Sequence, residues 1–474
     1  MKFSDNIVWL RRDLRLDDNT ALSAALSASG KTTVIFIFDK RILDKIKNKE
    51  DRRISFIYDA LEEIEKKLQE YGSSLRIFYG DPVAIVPKIM SSNETKSLFF
   101  NRDYEPYALK RDTTVQKKVL DLGKEVKNYR DHVIFERRDL LKSDGTPYKV
   151  FTPYSRAWKA LLERESSRTK KFKINLENLH QYKNSESLLH KDWMNEISFD
   201  YMEHPFLPGT RAEALKTLKQ FRKKIEKYDI DRDYPEREGT SGISPYLRFG
   251  QVSIREALKE ARSGSSAGHA SWENELIWRE FYQMILFNFP HVEKRPFKLD
   301  YEKLDWKKDN KLIKSWKEGN TGVPIVDAAM RELNQFGTMP NRLRMVTASY
   351  FCKILMQDWR IGEEYFAQKL MDFDLAANNG GWQWSSSTGC DAAPYFRIFN
   401  PYNQSKKFDP DGAYIKSFCP ELKNYEKKEI HRPDEVPALE QEMKGCLIGR
   451  DYPSPIVDYK SKREECLIFY KSIK

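Results

Sequence analysis

The chain has 474 residues and a mass of 55.9 kDa, enough for two or three hydrophobic cores and far beyond a disulfide-stapled miniprotein. Its composition, 40% hydrophobic and 32% charged with 21 glycines and 21 prolines, excludes a disordered or collagen-like polymer. A net charge of +11 favours a polyanionic partner without proving one. No apolar run approaches the roughly 18 residues of a membrane span, and the N-terminus carries no apolar signal stretch, so a protein of the cytosol, or of a nucleus or organelle entered by another route, is expected. Five cysteines, none in a Cys-x-x-Cys pair, and seven scattered histidines point to reduced thiols and no structural zinc. Ten tryptophans suit a core, but also stacking platforms or electron carriers.

In chain order, the apolar runs Ile7 to Leu10, Thr33 to Phe38, Leu75 to Tyr79, Ser97 to Phe100 and the weaker Val126 to Tyr129 read as strands. Amphipathic helices are predicted between them, over Ile54 to Tyr71, after Asp81-Pro82 and after Glu105-Pro106. This alternation predicts an α/β domain over residues 1–133 with a doubly wound parallel sheet, lacking the Gly-x-Gly-x-x-Gly fingerprint. Residues 134–204 are charged and turn-rich and read as a long connector, with the basic run Lys170-Lys171-Phe172-Lys173. Residues 205–474 form an all-α domain, with helical period over Arg211 to Lys227, Ser253 to Arg262, Trp272 to Phe289, Val323 to Asn334, Arg342 to Leu355 and Glu363 to Leu370.

Four segments could carry chemistry. On the Trp272 to Phe289 helix, Glu275, Trp278, Arg279 and Tyr282 share a stripe at i, i+3, i+4 and i+7. The plain reading is a solvated face with a Glu275–Arg279 pair; the sharper one is a pocket wall. At Met339 to Met345 another helix opens, with Asn341 as its cap, Arg344 as a surface charge and Met345 as core filler by default. Asp372 to Trp384 packs two acids, two asparagines, two glycines and two tryptophans into thirteen residues, either a helix ended by Asn379-Gly380-Gly381 or the polar wall of a ligand site. The hydroxyls and glycines of Glu238 to Pro245 suit a phosphate, although without a lysine they make no P-loop.

Together these segments resemble the DNA photolyase and cryptochrome flavoprotein family, and within it the class I cyclobutane pyrimidine dimer photolyases. The likeness runs from Ile7 to Leu22 (IVWLRRDLRLDDNTAL) through Tyr148 to Trp158, Glu238 to Gly250, Asn274 to Tyr282, Thr321 to Leu333 and Asn341 to Tyr350, and ends with Asp374 to Pro401 and Lys406 to Ile415. It implies an antenna domain, a connector, and a helical domain that holds FAD, reduced in its active form, and binds UV-damaged DNA. Tyr228 and Thr240, Ser241, Gly242, Ile243 and Ser244 match the positions around the FAD phosphates and ribose. Arg344, Asp372, Phe373, Asp374 and Asn378 match those around the isoalloxazine.

Glu275, Trp278, Asn341, Met345 and Trp384 match a pocket for a dimer flipped out of the duplex, which a badly stacked dimer leaves more cheaply than a normal base. The implied mechanism sends an electron from excited reduced FAD to the dimer, splits the cyclobutane ring and returns the electron. Glu275 and Asn341 would hydrogen-bond the dimer carbonyls while the two indoles pack its faces. Arg232, Arg279, Tyr282, Arg342, Arg397, Gln404 and Lys407 match the DNA-facing surface, and Trp382, Trp359 and Trp306 match a chain that photoreduces FAD. The sequence departs from the pattern at Pro340, often His, at Gly242, Arg in some relatives, and at Tyr107-Ala108, where folate-binding relatives carry Asn-Glu; a deazaflavin or another flavin suits the second chromophore at least as well as folate. Met345 with Asn378 favours dimer repair over a signalling cryptochrome. A monomer is expected, cytoplasmic and nucleoid-associated on DNA.

Overall fold

The computed structural model describes residues 3–182 and 192–473. Five strands, β1 (Asn6–Leu10), β2 (Thr32–Asp39), β3 (Arg76–Gly80), β4 (Ser97–Asn101) and β5 (Glu125–Tyr129), form one parallel sheet in the order β3-β2-β1-β4-β5. Each lies within one residue of its predicted ends. The runs in β1, β2 and β4 are wholly buried because both faces of the sheet are covered there, whereas the edge strands β3 and β5 are partly exposed. Val8, Leu10, Val34 and Phe36 pack towards α1 (Thr20–Ser27) and α2 (Arg52–Gln69), while Ile7, Trp9, Ile35 and Ile37 pack with side chains of α3 (Pro82–Met90) and α4 (Pro106–Asp121).

In doubly wound sheets, ligands usually sit where the strand order reverses, here between the carboxyl ends of β1 and β4. In this chain an ionic clasp occupies that crevice. Arg12, just past β1, donates to Asp103 Oδ1 at 3.1 Å and Glu105 Oε1 at 2.9 Å beyond β4, and also to the Asp374 carboxylate in the helical half. Gly250 allows the two halves to meet so closely: its φ is +78°, and a Cβ there would stand 2.2 Å from the Arg12 carbonyl. Deeper in the same seam, Arg15 and Arg255 share the carboxylates and carbonyl of Asp18 and Asp131.

The connector is more structured than its sequence suggests. It carries a 14-residue helix, α5 (Phe151–Arg164), and it is pinned by Glu280, which accepts from Ile134 N, Phe135 N and Trp158 Nε1 at 2.6–2.8 Å. Burial pushes that carboxyl up to about 7 against these three donors. Residues 183–191 of the connector lie outside the described residues.

Beyond it, the elements that matter for the site are α6 (Tyr228–Asp231), α7 (Ala267–Asn288), α8 (Asn341–Ser349), α9 (Trp359–Lys369), α10 (Leu375–Ser385) and α11 (Pro401–Phe408). Two predicted helices are shorter than their periodicity. The one from Arg211 stops at Phe221, and α8 gives way at Tyr350 to a π-type turn ending at Ile354. Among the described residues no cysteines are paired and no helix is long and apolar enough to cross a membrane.

Candidate active site

Helices α7, α8 and α10 line a cavity of about 370 Å³. The α7 stripe forms one wall, as the sharper sequence reading expects, and Asn341, Arg344, Met345, Asn378, Trp382 and Trp384 supply much of the rest. Asn378 and Trp382 are buried, whereas Trp384 and Glu275 are half-buried and Asn341 is exposed, which sets an inner and an outer end.

The plain Glu275–Arg279 pair does not form. Glu275 meets Arg232, four residues beyond Tyr228, with Nη1 to Oε1 at 2.5 Å. Arg279 instead donates to the His132 carbonyl at 2.6 Å and ties α7 to the end of the α/β domain. Trp278 stacks on Phe151 of α5, 3.7 Å between centroids and 4° from parallel, so its plane is set by a residue with no obvious site chemistry of its own.

In α8, Asn341 is the first helical residue, not the cap; that position falls to Pro340, and the Asn341 amide leans on Met345 Sδ at 3.6 Å. Arg344 is no free surface charge. Its Nη2 reaches both carboxylate oxygens of Asp372 at 2.9 and 3.1 Å and its Nε reaches the Met339 carbonyl.

Of the two readings of Asp372 to Trp384, the ligand-site wall holds and the helix end at Asn379-Gly380-Gly381 does not. Asp374 caps the start of α10 through Ala376 N and Ala377 N, and the helix runs through both glycines to Ser385. Gly380 is a contact point here: a Cβ would sit 2.2 Å from the Tyr282 ring. Gly381 faces open space on the cavity wall. Asn378 is held from behind by Glu363, whose carbonyl and Oε1 accept from Nδ2 at 3.0 and 2.9 Å. Burial pushes the Glu363 carboxyl up to about 7. No local motif marks Glu363 or Phe151, because each acts across the fold.

The inner end suits a flavin. The missing side chain at Gly381 leaves room for a flat ring, and Trp382 Nε1 and Ser385 Oγ, both lining the cavity, are buried without partners among the described residues. The Arg344–Asp372 pair and Asn378 give the cavity a polar edge, as FAD requires.

Other expected cofactor residues lie apart from this lining. Asp374 is committed to Arg12, to Gln283 and to capping α10, and Phe373 packs in the second core. Tyr228 is buried beneath Arg232, at 5.1 Å. Thr240 and Gly242 are exposed and Ser241 half-buried, while Ile243 and Ser244 begin a short helix, Ser244–Phe249.

Of the three expected electron carriers, Trp382 lines the cavity and packs on Phe366 at 5.0 Å and on Trp316 and Phe351 at 5.9 Å. Trp359 is buried at the start of α9. Trp306 is half-buried against Phe469 and Tyr470, and a bridge between Lys307 and Gln357 brings its segment beside that of Trp359. On the DNA-facing list, Arg342 pairs with Asp233 at 2.7 Å and lies over Phe408. Arg397 and Lys407 are exposed, and Gln404 on α11 keeps an Oε1 with no partner among the described residues.

Residues 6–172 match the family model described as DNA photolyase, and residues 272–472 that described as the FAD binding domain of DNA photolyase. A Synechococcus protein named deoxyribodipyrimidine photo-lyase is 35% identical over 480 residues, covering 99% of this chain and 96% of its own length. One of the same name from Vibrio cholerae is 38% identical over 487 residues, covering 99% of each. Among solved structures, a class III photolyase from Agrobacterium tumefaciens superposes with a TM-score of 0.88 at 32% identity, covering 100% and 98% of the two chains. A Synechocystis cryptochrome gives 0.86 at 28%, covering 99% and 100%. An archaeal photolyase from Sulfolobus tokodaii, solved with two FAD molecules, gives 0.81 at 32%, again covering 99% and 100%. Matched from end to end by such relatives, and with a cavity built for a flavin, this chain belongs to the DNA photolyase family.

Proposed function

We propose that this protein is a deoxyribodipyrimidine photo-lyase, which splits cyclobutane pyrimidine dimers in UV-damaged DNA under near-UV or blue light. The observation that carries the reading is one cavity with two chemistries, a flavin-compatible inner end and an outer rim of acid, amide and indole. Reduced FAD, when bound, supplies the light-driven electron donor. Arg344, fixed by Asp372, holds positive charge at the inner end, and Asn378 presents a neutral amide there. At the rim, Trp278 and Trp384 pack the faces of the extruded dimer, and Glu275 and Asn341 address its hydrogen-bonding edges. A donor bond from the Asn341 amide strengthens as the dimer gains an electron and so acts on the chemical step rather than on binding.

Arg342, Arg397, Gln404 and Lys407 contact backbone phosphates, so binding weakens with salt. Trp306, Trp359 and Trp382 relay electrons inward when the flavin must be reduced. The protein works as a cytoplasmic monomer, on the nucleoid when bound to DNA. A second chromophore, a deazaflavin, flavin or folate, sits in the α/β domain. The photoreceptor alternative shares the fold, as the cryptochrome likeness makes plain, but Met345 and Asn378 at the cavity favour repair.

The test is to reduce the FAD, add a thymine-dimer oligonucleotide and follow restored thymines under light against a dark control. Light-dependent restoration is expected; bound, reduced FAD without restoration would move the reading to a photoreceptor.

A further inference from the structure

We propose that Arg232 is a positioning residue that holds Glu275 as a carboxylate, so that Glu275 meets the dimer as an acceptor of imide N–H bonds within a charge-neutral pair. This rests on the repair reading above and deepens it. A protonated Glu275 would donate to a pyrimidine carbonyl; an ionised one has no proton to give and can only accept.

Two observations favour the ionised form, and a third leaves Arg232 open to the DNA. Arg232 Nη1 stands 2.5 Å from Glu275 Oε1 and 3.4 Å from Ser271 Oγ. The guanidinium lies over Tyr228 at 5.1 Å, and its side chain is 17% exposed against 33% for Glu275, so the cation is the anchored partner. No described hydrogen bond uses Arg232 Nε or Nη2, which leaves that edge free for a phosphate while Nη1 stays on Glu275.

The surrounding groups offer Glu275 no substitute. Arg279 is committed to the His132 carbonyl, Arg344 to Asp372, and Asp233 to Arg342. Tyr228 and Tyr282 are held neutral by burial, which also pushes the Cys390 thiol up to about 11, and Asp391 accepts from Phe151 N at 3.0 Å. The pairing has a consequence for the reaction. A bare carboxylate at the rim would repel the electron arriving on the dimer, and the adjacent guanidinium cancels that repulsion.

The experiment measures repair yield per photon on chemically reduced holoenzyme, with saturating thymine-dimer oligonucleotide, from about pH 5.5 to about pH 8.5. The wild type is expected to be flat. In Arg232→Met the carboxyl stands half-buried with no cation beside it, so acid neutralises a charge that base leaves uncancelled. Its yield should then stay near the wild-type value at the acid end and fall several-fold as the pH rises. Adding Glu275→Gln should abolish that dependence. A flat Arg232→Met profile overturns the proposal, as does a slope that persists in the double variant.

Should Arg232→Met fail to fold, infrared spectra of the dimer complexes of wild type and Glu275→Gln decide at neutral pH. No protonated-carboxyl band should be lost on substitution, and the loss of one overturns the assignment. Failure of the repair reading itself looks different, as the wild type would then restore no thymines at any pH.

Discussion

The arginines of the interdomain seam and those of the cavity rim do opposite work with the same side chain. Arg15 and Arg255 are almost wholly buried, and each engages two acidic residues. Arg232 and Arg342 are partly exposed, and each has one carboxylate partner. A guanidinium in the seam is buried between acidic partners from both halves and contributes to the fold. One at the rim keeps donors in reserve for a ligand. The contrast separates arginines whose loss should unfold the protein from those whose loss should disable it.

The largest expected effect is in the seam. Arg15→Met leaves Asp131 buried with only Arg255 and Thr20 as partners and should cost about 3–5 kcal/mol, read as a lower urea midpoint. Acid attacks the same place. Burial by itself would raise the Asp131 carboxyl, but Arg15 and Arg255 hold it well below the ordinary carboxylate range. A depressed folded value gives stability that is complete above the unfolded value, about pH 4, and is lost as the pH falls towards the folded one. Urea midpoints should therefore drop steeply below about pH 4, the seam failing before the cores.

At the rim, Arg342→Met should barely move the urea midpoint. It should weaken binding to a dimer-containing duplex by up to about tenfold and flatten the slope of log affinity against log salt by about one. An unchanged slope would place Arg342 away from phosphate. The smallest effect sharpens the contrast within one helix. Gly381→Ala, which meets open space, should stabilise the protein by about 0.5–1 kcal/mol through helix propensity and yet lower FAD content on purification. Gly380→Ala collides with Tyr282 and should lose stability instead. If both variants stabilise, α10 is not packed as described.

The sheet was legible because its central strands are apolar runs divided by turns, a pattern that needs no knowledge of partners. So was the α7 stripe, whose four residues meet by helical spacing alone. Other features were hidden for a physical reason. Asn379-Gly380-Gly381 reads as a helix stop locally, and only the Tyr282 ring against Gly380 shows why the helix goes on. Arg232 and Glu275 are 43 positions apart, and Phe151 meets Trp278 across 127, so neither pairing has a sequence period. The family likeness named most of the cavity residues, but it did not reveal that Asp374 faces the seam, or that Glu363 holds the Asn378 amide.

The clasp at Arg12 bears on light as well as on stability. It ties the carboxyl ends of β1 and β4 to the first residue before α10, the helix that also carries Asn378 and Trp382. Energy passing between two separated pigments falls steeply with distance and depends on the angle between them. A pigment seated on the sheet would therefore inherit a fixed range and bearing to the cavity, set by three carboxylates gripping one guanidinium.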